Sequence, residues 1–458
     1  MPAPIPMTAT ASSSDLILAH GVGGAKDLPL PPELAIVGAV AAMAVSFVVL
    51  AFAWRTPRYA GEASGRPAWT WLATIVDSAV FRWSLKAVGL LVLVYLVVAA
   101  LFGQDLLINP LIGIFYVWWW VGIPFASVLV GPVWRAISPM RTLNDGLTRL
   151  IGADPGQGML TYPARLGYWP AAIGLFLFVW QELVNPDGVS ISSVRLWCAV
   201  YVAVMLVGGL LFGSTFYRYA DPFEVFSELA AKLSVWGRRE GRLVVRSPLA
   251  NLDTVDPGFG LPAVVCVLFG STAFDSFSES SYWVRFVQGS EWMNRHDWSL
   301  TAVGTVTLMA FCVGVGAIFA LGTMLTGIDE RTRRRDLPRL FAHSMVPIIV
   351  GYVVAHYLSL LVETGQQTLI QASDPLSTGA NILGTADLKV RYVLSDHPTL
   401  LATLKVIAVV TGHVLGVVSS HDRALKLLPA KHQLSGQLSL LIAMIGFTVG
   451  GLFLLFSS

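Results

Sequence analysis

His356, Glu363 and Lys405 stand in or beside segments otherwise built of Val, Leu, Ala and Gly, and they are the residues of this chain best equipped for chemistry. An imidazole can act as a general base, a carboxylate can take its proton, and an ammonium can stabilise an anionic oxygen. Ionisable groups are costly at membrane depth and by default face a cavity or one another. At 1.5 Å per residue, His356 lies about 22 Å from the expected cytoplasmic end of its segment, and Lys405 about 21 Å from the same end of its antiparallel neighbour. Glu363 follows His356 by seven residues, which places it near the same helix face and about 10 Å higher. Glu182 and Asp275 end their own segments on that side. The five residues are read as an outward-opening polar vestibule, with His356 and Glu363 as the catalytic pair and Lys405, Asp275 and Glu182 as substrate-binding groups. In the competing reading Lys405 snorkels, the acids mark helix ends, and His356 is a hydrogen-bonded core residue.

A second layer, nearer the expected cytoplasmic side, holds His343, His413 and His421-Asp422-Arg423. Neutral imidazole is a common metal ligand, but His413 lies about 9 Å and His343 about 3 Å from the ends of their segments. That spread favours hydrogen bonds closing the two helix ends over a shared ion. A separation in depth of about 13 Å between His356 and His413 speaks against a bis-histidine haem. There is no phosphate-binding glycine loop, no H-E-x-x-H, no nucleophile elbow and no paired-cysteine zinc pattern, so the residues specify no cofactor. Cys198, Cys266 and Cys312 all fall in apolar segments and are read as reduced core residues. His20, His296 and His397 fall in the long external segments 1–32, 276–298 and 364–398, which are long enough to cap a site.

The elements that must position these groups follow from composition. The 458 residues are 13% charged and 55% hydrophobic, with a mean hydropathy of +0.67, where soluble proteins are roughly 25% charged. A soluble multi-domain enzyme is excluded. A net charge of +2 leaves no basic surplus for binding nucleic acid. Apolar runs at about 33–54, 86–103, 110–133, 168–184, 197–213, 259–275, 299–326, 341–363, 399–419 and 435–456 predict an all-α polytopic membrane protein of about ten transmembrane helices. The expected organisation is an external N-terminal segment, 1–32, and a single transmembrane domain, 33–456. Alternate loops hold 23 of the 30 Lys and Arg against 6 in the opposite set. The positive-inside rule then places both termini outside a plasma membrane. Residues 1–20 show no basic region followed by a long apolar run, so no cleavable export signal is expected.

Two cytoplasmic segments are expected to lie along the membrane as interfacial helices. The clearer is 221–236, where Asp221-Pro222-Phe223-Glu224 reads as a helix start. Phe226, Leu229, Leu233 and Trp236 follow at helical spacing, with Lys232, Arg238 and Arg239 alongside or after them. The second runs from about 69 to 83.

Five stretches carry a resemblance: Ala19-His20-Gly21 through Asp27-Leu28-Pro29, Gly270-Ser271-Thr272-Ala273-Phe274-Asp275, Val354-Ala355-His356-Tyr357, Gly412-His413-Val414 and His421-Asp422-Arg423-Ala424. In these the chain resembles a family of bacterial polytopic membrane proteins named for fenitrothion hydrolase, an organophosphate-degrading membrane activity. The resemblance implies a ten-span protein and a hydrolytic activity but no catalytic residues. Proteins of that family carry an export signal before the Ala-His-Gly stretch, where this chain has a polar leader. Phosphotriester hydrolysis needs an activated water and stabilisation of a phosphoryl oxygen, for which His356 and Lys405 are suited. The same residues suit a proton-coupled carrier for a lipid or small anion. A third class is a non-catalytic subunit of an envelope complex, with a membrane-protein partner as well as the lipid bilayer around it.

Overall fold

The computed structural model describes residues 25–296, 298–326, 332–429, 432–433 and 435–457. His20 with the Ala19–Gly21 stretch, Arg331 and Lys431 lie outside them. In chain order the principal helices are α1 (Pro32–Ala53), α2 (Thr70–Asp77), α3 (Ala79–Phe102), α4 (Pro110–Val130), α5 (Pro139–Leu150), α6 (Trp169–Leu183) and α7 (Ile191–Phe212). They continue as α8 (Ser214–Ala220), α9 (Pro222–Ala231), α10 (Leu261–Ser278), α11 (Ser299–Met324), α12 (Arg334–Gln371), α13 (Pro398–Leu427) and α14 (Ser435–Phe456). Among the described residues nine of these are long and apolar enough to cross a membrane. The tenth expected span is α6, whose 15 residues give about 22 Å of helix, short of a hydrocarbon core of about 30 Å.

Loop contacts divide the two ends of the bundle as the Lys and Arg count requires. At the arginine-rich end, the Arg58 N–H donates to Asp422 Oδ1 at 2.6 Å, Lys426 Nζ reaches Asp253 Oδ1 at 2.8 Å, and Arg339 Nη1 reaches the Pro257 carbonyl at 3.1 Å. At the other end, the Gln104 N–H donates to the Leu376 carbonyl and the Ile191 N–H to Asp105 Oδ1. A small antiparallel sheet at the arginine-rich end, in the order β1 (Arg66–Pro67), β3 (Arg242–Val245), β2 (Trp236–Arg239), is the main departure from helix. Its hairpin turns at Glu240-Gly241, both with positive φ (52° and 79°), as a tight two-residue hairpin of matching twist requires. The buried Arg246 ties it down by donating to the carbonyls of Gly61 and Arg238.

The segment 221–236 departs from the expectation of an interfacial helix. After Gly213 the chain turns back beside α7. Phe216 packs on Gly208, the Tyr217 hydroxyl donates to the Met205 carbonyl, and the Tyr201 hydroxyl donates to Asp221. Asp221 is thus level with Tyr201, 11 residues and about 16 Å from the end of α7. From there α9 descends beside α4, with Ser227 Oγ 2.8 Å from Ser127 Oγ. Segment 214–231 is a re-entrant pair of helices, and nearly every residue of α9 is buried. Its polar stripe was misleading because each polar group finds a partner inside the protein. Glu224 pairs with Arg141, Ser227 with Ser127 and the Trp134 N–H, and Glu228 lies 3.6 Å from Arg135. Such a break is tolerated at membrane depth only where protein surrounds it. The helix start itself is as read, with Asp221 Oδ1 accepting from the Phe223 N–H at 3.0 Å. The other expected interfacial segment, 69–83, is divided between two helices. No residue of α2 is buried, but the membrane span expected at 86 already starts at Ala79, capped by Ser78.

The site region is set by how α12 and α13 cross. A Cβ on Gly351 would fall 2.6 Å from the Ala408 carbonyl oxygen and 3.3 Å from the Gly412 Cα, and a Cβ on Gly412 2.5 Å from the Pro347 carbonyl oxygen. Gly416, four residues on, faces the Ser344 carbonyl in the same way, a small-residue contact of the kind that brings membrane helices together. Gly412→Ala is expected to cost about 1–3 kcal/mol through forced separation of the helices, read as a lowered melting temperature in detergent. Gly314→Ala, where a Cβ would meet open space, is the matched control and should melt with the parent protein.

Candidate functional site

The centre of the site is a carboxylate shared by two neighbouring side chains of α12. Asp275 on α10 accepts at Oδ2 from His356 Nε2 at 2.9 Å and from the Tyr357 hydroxyl at 2.6 Å. The other ring nitrogen, His356 Nδ1, lies 3.3 Å from Ser276 Oγ. The carboxylate calls for a proton on Nε2, so that Nδ1 of a neutral ring accepts from Ser276, while an imidazolium would donate at both. The imidazole and phenol rings meet edge to face, 4.6 Å between centroids. Two consecutive helical residues can reach one oxygen only because Asp275 points between them from a neighbouring helix.

Charged groups surround this centre. Glu182, at the end of α6, acts electrostatically on Asp275 and on the Tyr116 and Tyr357 phenols. Its Oε2 is buried with no hydrogen-bond partner among the described residues. Lys405 on α13 acts on His356, Glu279 acts on both, and Asp27 acts on Lys405. The short turn Ala25–Asp27 packs against α13, on which Lys405 stands. Four of the expected residues, Glu182, Asp275, His356 and Lys405, therefore come together. They do not line an open vestibule, since Asp275, His356 and Lys405 are only 7%, 6% and 4% exposed.

Glu363 is engaged elsewhere. Its Oε1 accepts from the Leu394 and Ser395 N–H groups at 3.1 and 2.8 Å, and its Oε2 from the Ser395 hydroxyl at 2.6 Å. It anchors the loop before α13. Leu360–Thr364 forms a π-helical turn, which changes the number of residues per turn and breaks the seven-residue projection from His356.

The histidines at the arginine-rich side are held by hydrogen bonds to the protein. His343 bonds to the backbone of Leu340 and Ser419, His413 Nδ1 donates to the Val409 carbonyl at 2.9 Å, and His421 bridges Gln437 Oε1 and the Trp54 carbonyl at 2.9 Å each. Among the described residues no group of three or more His, Cys, Asp or Glu could hold a metal ion.

The sequence reading passed over Tyr357, Ser276 and Glu279. Asp275 and Glu279 are spaced i, i+4 on α10, which puts them on one face and was the available signal. The chain matches no protein-family model, and no curated protein or solved structure is significantly similar to it.

Proposed function

We propose that this is a plasma-membrane protein with its arginine-rich end in the cytoplasm and both termini outside, and that Asp275, His356 and Glu182 bind and release the proton that drives a carrier for a small or lipid-like anion. The observation that carries this reading is the engagement of both nitrogens of His356, one by Asp275 and one by Ser276. A hydrolytic base needs a nitrogen facing water or substrate, whereas a proton carrier needs a ring held between groups that exchange protons with it. Glu182 Oε2 supplies a further acceptor with no hydrogen-bond partner among the described residues, and Lys405 supplies a positive charge for an anion on the outer side. Ionisable groups so deep are the usual components of proton relays.

The test is reconstitution in proteoliposomes with an internal pH dye and inorganic phosphate, acetate or a dialkyl phosphate outside. Anion-dependent proton entry that His356→Ala abolishes is expected. Absence of such flux, with or without a pH gradient, sinks the reading.

A second reading, an organophosphate hydrolase, is favoured by one observation. The stretches that resemble the fenitrothion hydrolase family contribute Asp275, His356 and Tyr357, all three members of the central cluster. Under it, purified protein releases a phenol from a phosphotriester, and His356→Ala, which removes the base, stops turnover. The carrier reading requires no turnover from either protein.

A further inference from the structure

The helix α3 is the least buried of the spans: only 11% of its apolar window is buried inside the protein, and its buried residues are Gly89 and Ala99. Yet it is fixed near both ends. Towards the arginine-rich end, Lys86 Nζ pairs with Asp145 at 2.7 Å and Gly89 lies against the Ile137 carbonyl. Towards the other end, Asn109 Nδ2 reaches the Ala99 and Gln104 carbonyls and the Tyr95 hydroxyl donates to the Ala372 carbonyl. Between these clamps α3 stands off from α4 and α7 and leaves a cavity of about 540 Å³.

Its walls are apolar, with Leu93, Leu96, Trp118 and Val202 among them, and they run along α3 from Val88 to Leu101. That is about 20 Å of helix, more than the roughly 15 Å of hydrocarbon in one leaflet. The volume is within the range of true ligand sites. Arg195 is the one charged residue of the lining. It sits four residues inside the end of α7 remote from the arginine-rich face, about 6 Å below it. Its only hydrogen bond among the described residues is a long one, 3.5 Å, to the Ala100 carbonyl, and it makes no ion pair there. A single guanidinium at headgroup level above an apolar slot of leaflet depth matches an amphiphile with an anionic head and one long tail.

We infer that this cavity holds one acyl chain of an anionic membrane phospholipid, with the lipid phosphate on Arg195. Bidentate recognition of phosphate is the characteristic use of a guanidinium, and the tail fills space that no side chain among the described residues occupies. The lipid would join α3 to the bundle where protein contacts do not.

The native Cys198 lines the cavity and reports on its occupant. In a Cys266→Ala/Cys312→Ala background, alkylation of Cys198 by N-ethylmaleimide should be slower in phosphatidylglycerol nanodiscs than in phosphatidylcholine nanodiscs. Native mass spectrometry of the detergent-purified protein should show phosphatidylglycerol retained over phosphatidylcholine. Arg195→Gln should reduce that preference by about fivefold, the usual effect of one basic residue at a charged lipid surface, and Arg195→Lys should keep part of it. Ala203→Phe, which fills the slot, should lose both lipids while the protein melts as before. Equal retention of the two lipids by the parent and Arg195→Gln, or Cys198 alkylation at one rate in both nanodiscs, would overturn the inference.

Discussion

Glu224→Ala should lower the stability of the protein by about 3–5 kcal/mol, the usual cost of removing one partner from a buried ion pair. Glu224 is 1% exposed and Arg141 15%, and the carboxylate takes two hydrogen bonds from the guanidinium, at Nε and at Nη2. Without Glu224 the Arg141 charge is left with the Ser214 carbonyl at 3.3 Å and the face of Tyr217 at 4.9 Å. The damage should reach the re-entrant helices, because Asp221, three residues before Glu224, holds Trp134 Nε1 and the Tyr201 hydroxyl as well as the start of α9. Thermal melting in detergent measures the loss. The double variant Arg141→Met/Glu224→Leu, which removes both charges and keeps most of the volume, should recover much of it. A double variant no more stable than Glu224→Ala would show that the effect comes from lost packing and not from an orphaned charge.

The re-entrant pair shows what the sequence could and could not convey. The long apolar runs predict ten spans; among the described residues nine are helices long and apolar enough to cross a membrane, and the run at about 168–184 is a helix of only 15 residues. The run 222–231 gives a different signal, because Glu224, Ser227 and Glu228 interrupt it as a solvated face would. Nothing in the local pattern tells that Arg141, Ser127 and Arg135, roughly a hundred residues away in the chain, satisfy them. Pairing across such separations is a property of the packed bundle.

The candidate site divides along the same line. Depth is linear in sequence, so the common level of His356 and Lys405 could be read at 1.5 Å per residue. Azimuth is not. The projection from His356 to Glu363 assumes 3.6 residues per turn throughout, and the π turn at Leu360–Thr364 invalidates it. Asp275 is expected as a substrate-binding group of the vestibule and is found as the direct partner of His356, which only the crossing of α10 and α12 decides. The contact of α13 with α12 is legible, since Gly412 and Gly416 form a G-x-x-x-G pair of recognised meaning.

Replacing Asp275 with asparagine should reduce proton-coupled uptake by about a hundredfold or more, the lower range for removal of a positioned acid or base, with little change in fold. Asparagine keeps the shape of the side chain, and its carbonyl oxygen has lone pairs for both His356 Nε2 and the Tyr357 hydroxyl, which Asp275 now receives at 2.9 and 2.6 Å. What it cannot do is carry the negative charge or take up a proton. The substitution therefore separates the charge at the centre of the cluster from its geometry. Asp275→Ala removes both, leaving two buried donors unpaired at roughly 1–3 kcal/mol each, and should also lower the melting temperature. Tyr357→Phe takes away one donor and leaves the His356–Asp275 pair, so it should retain most of the uptake. Glu182→Gln, at a side chain whose Oε2 has no hydrogen-bond partner among the described residues, should shift the pH profile of uptake without unfolding the protein. Uptake by Asp275→Asn at the parental rate and with the parental pH profile would show that the pair only packs α10 against α12, and the proton site would have to be sought elsewhere.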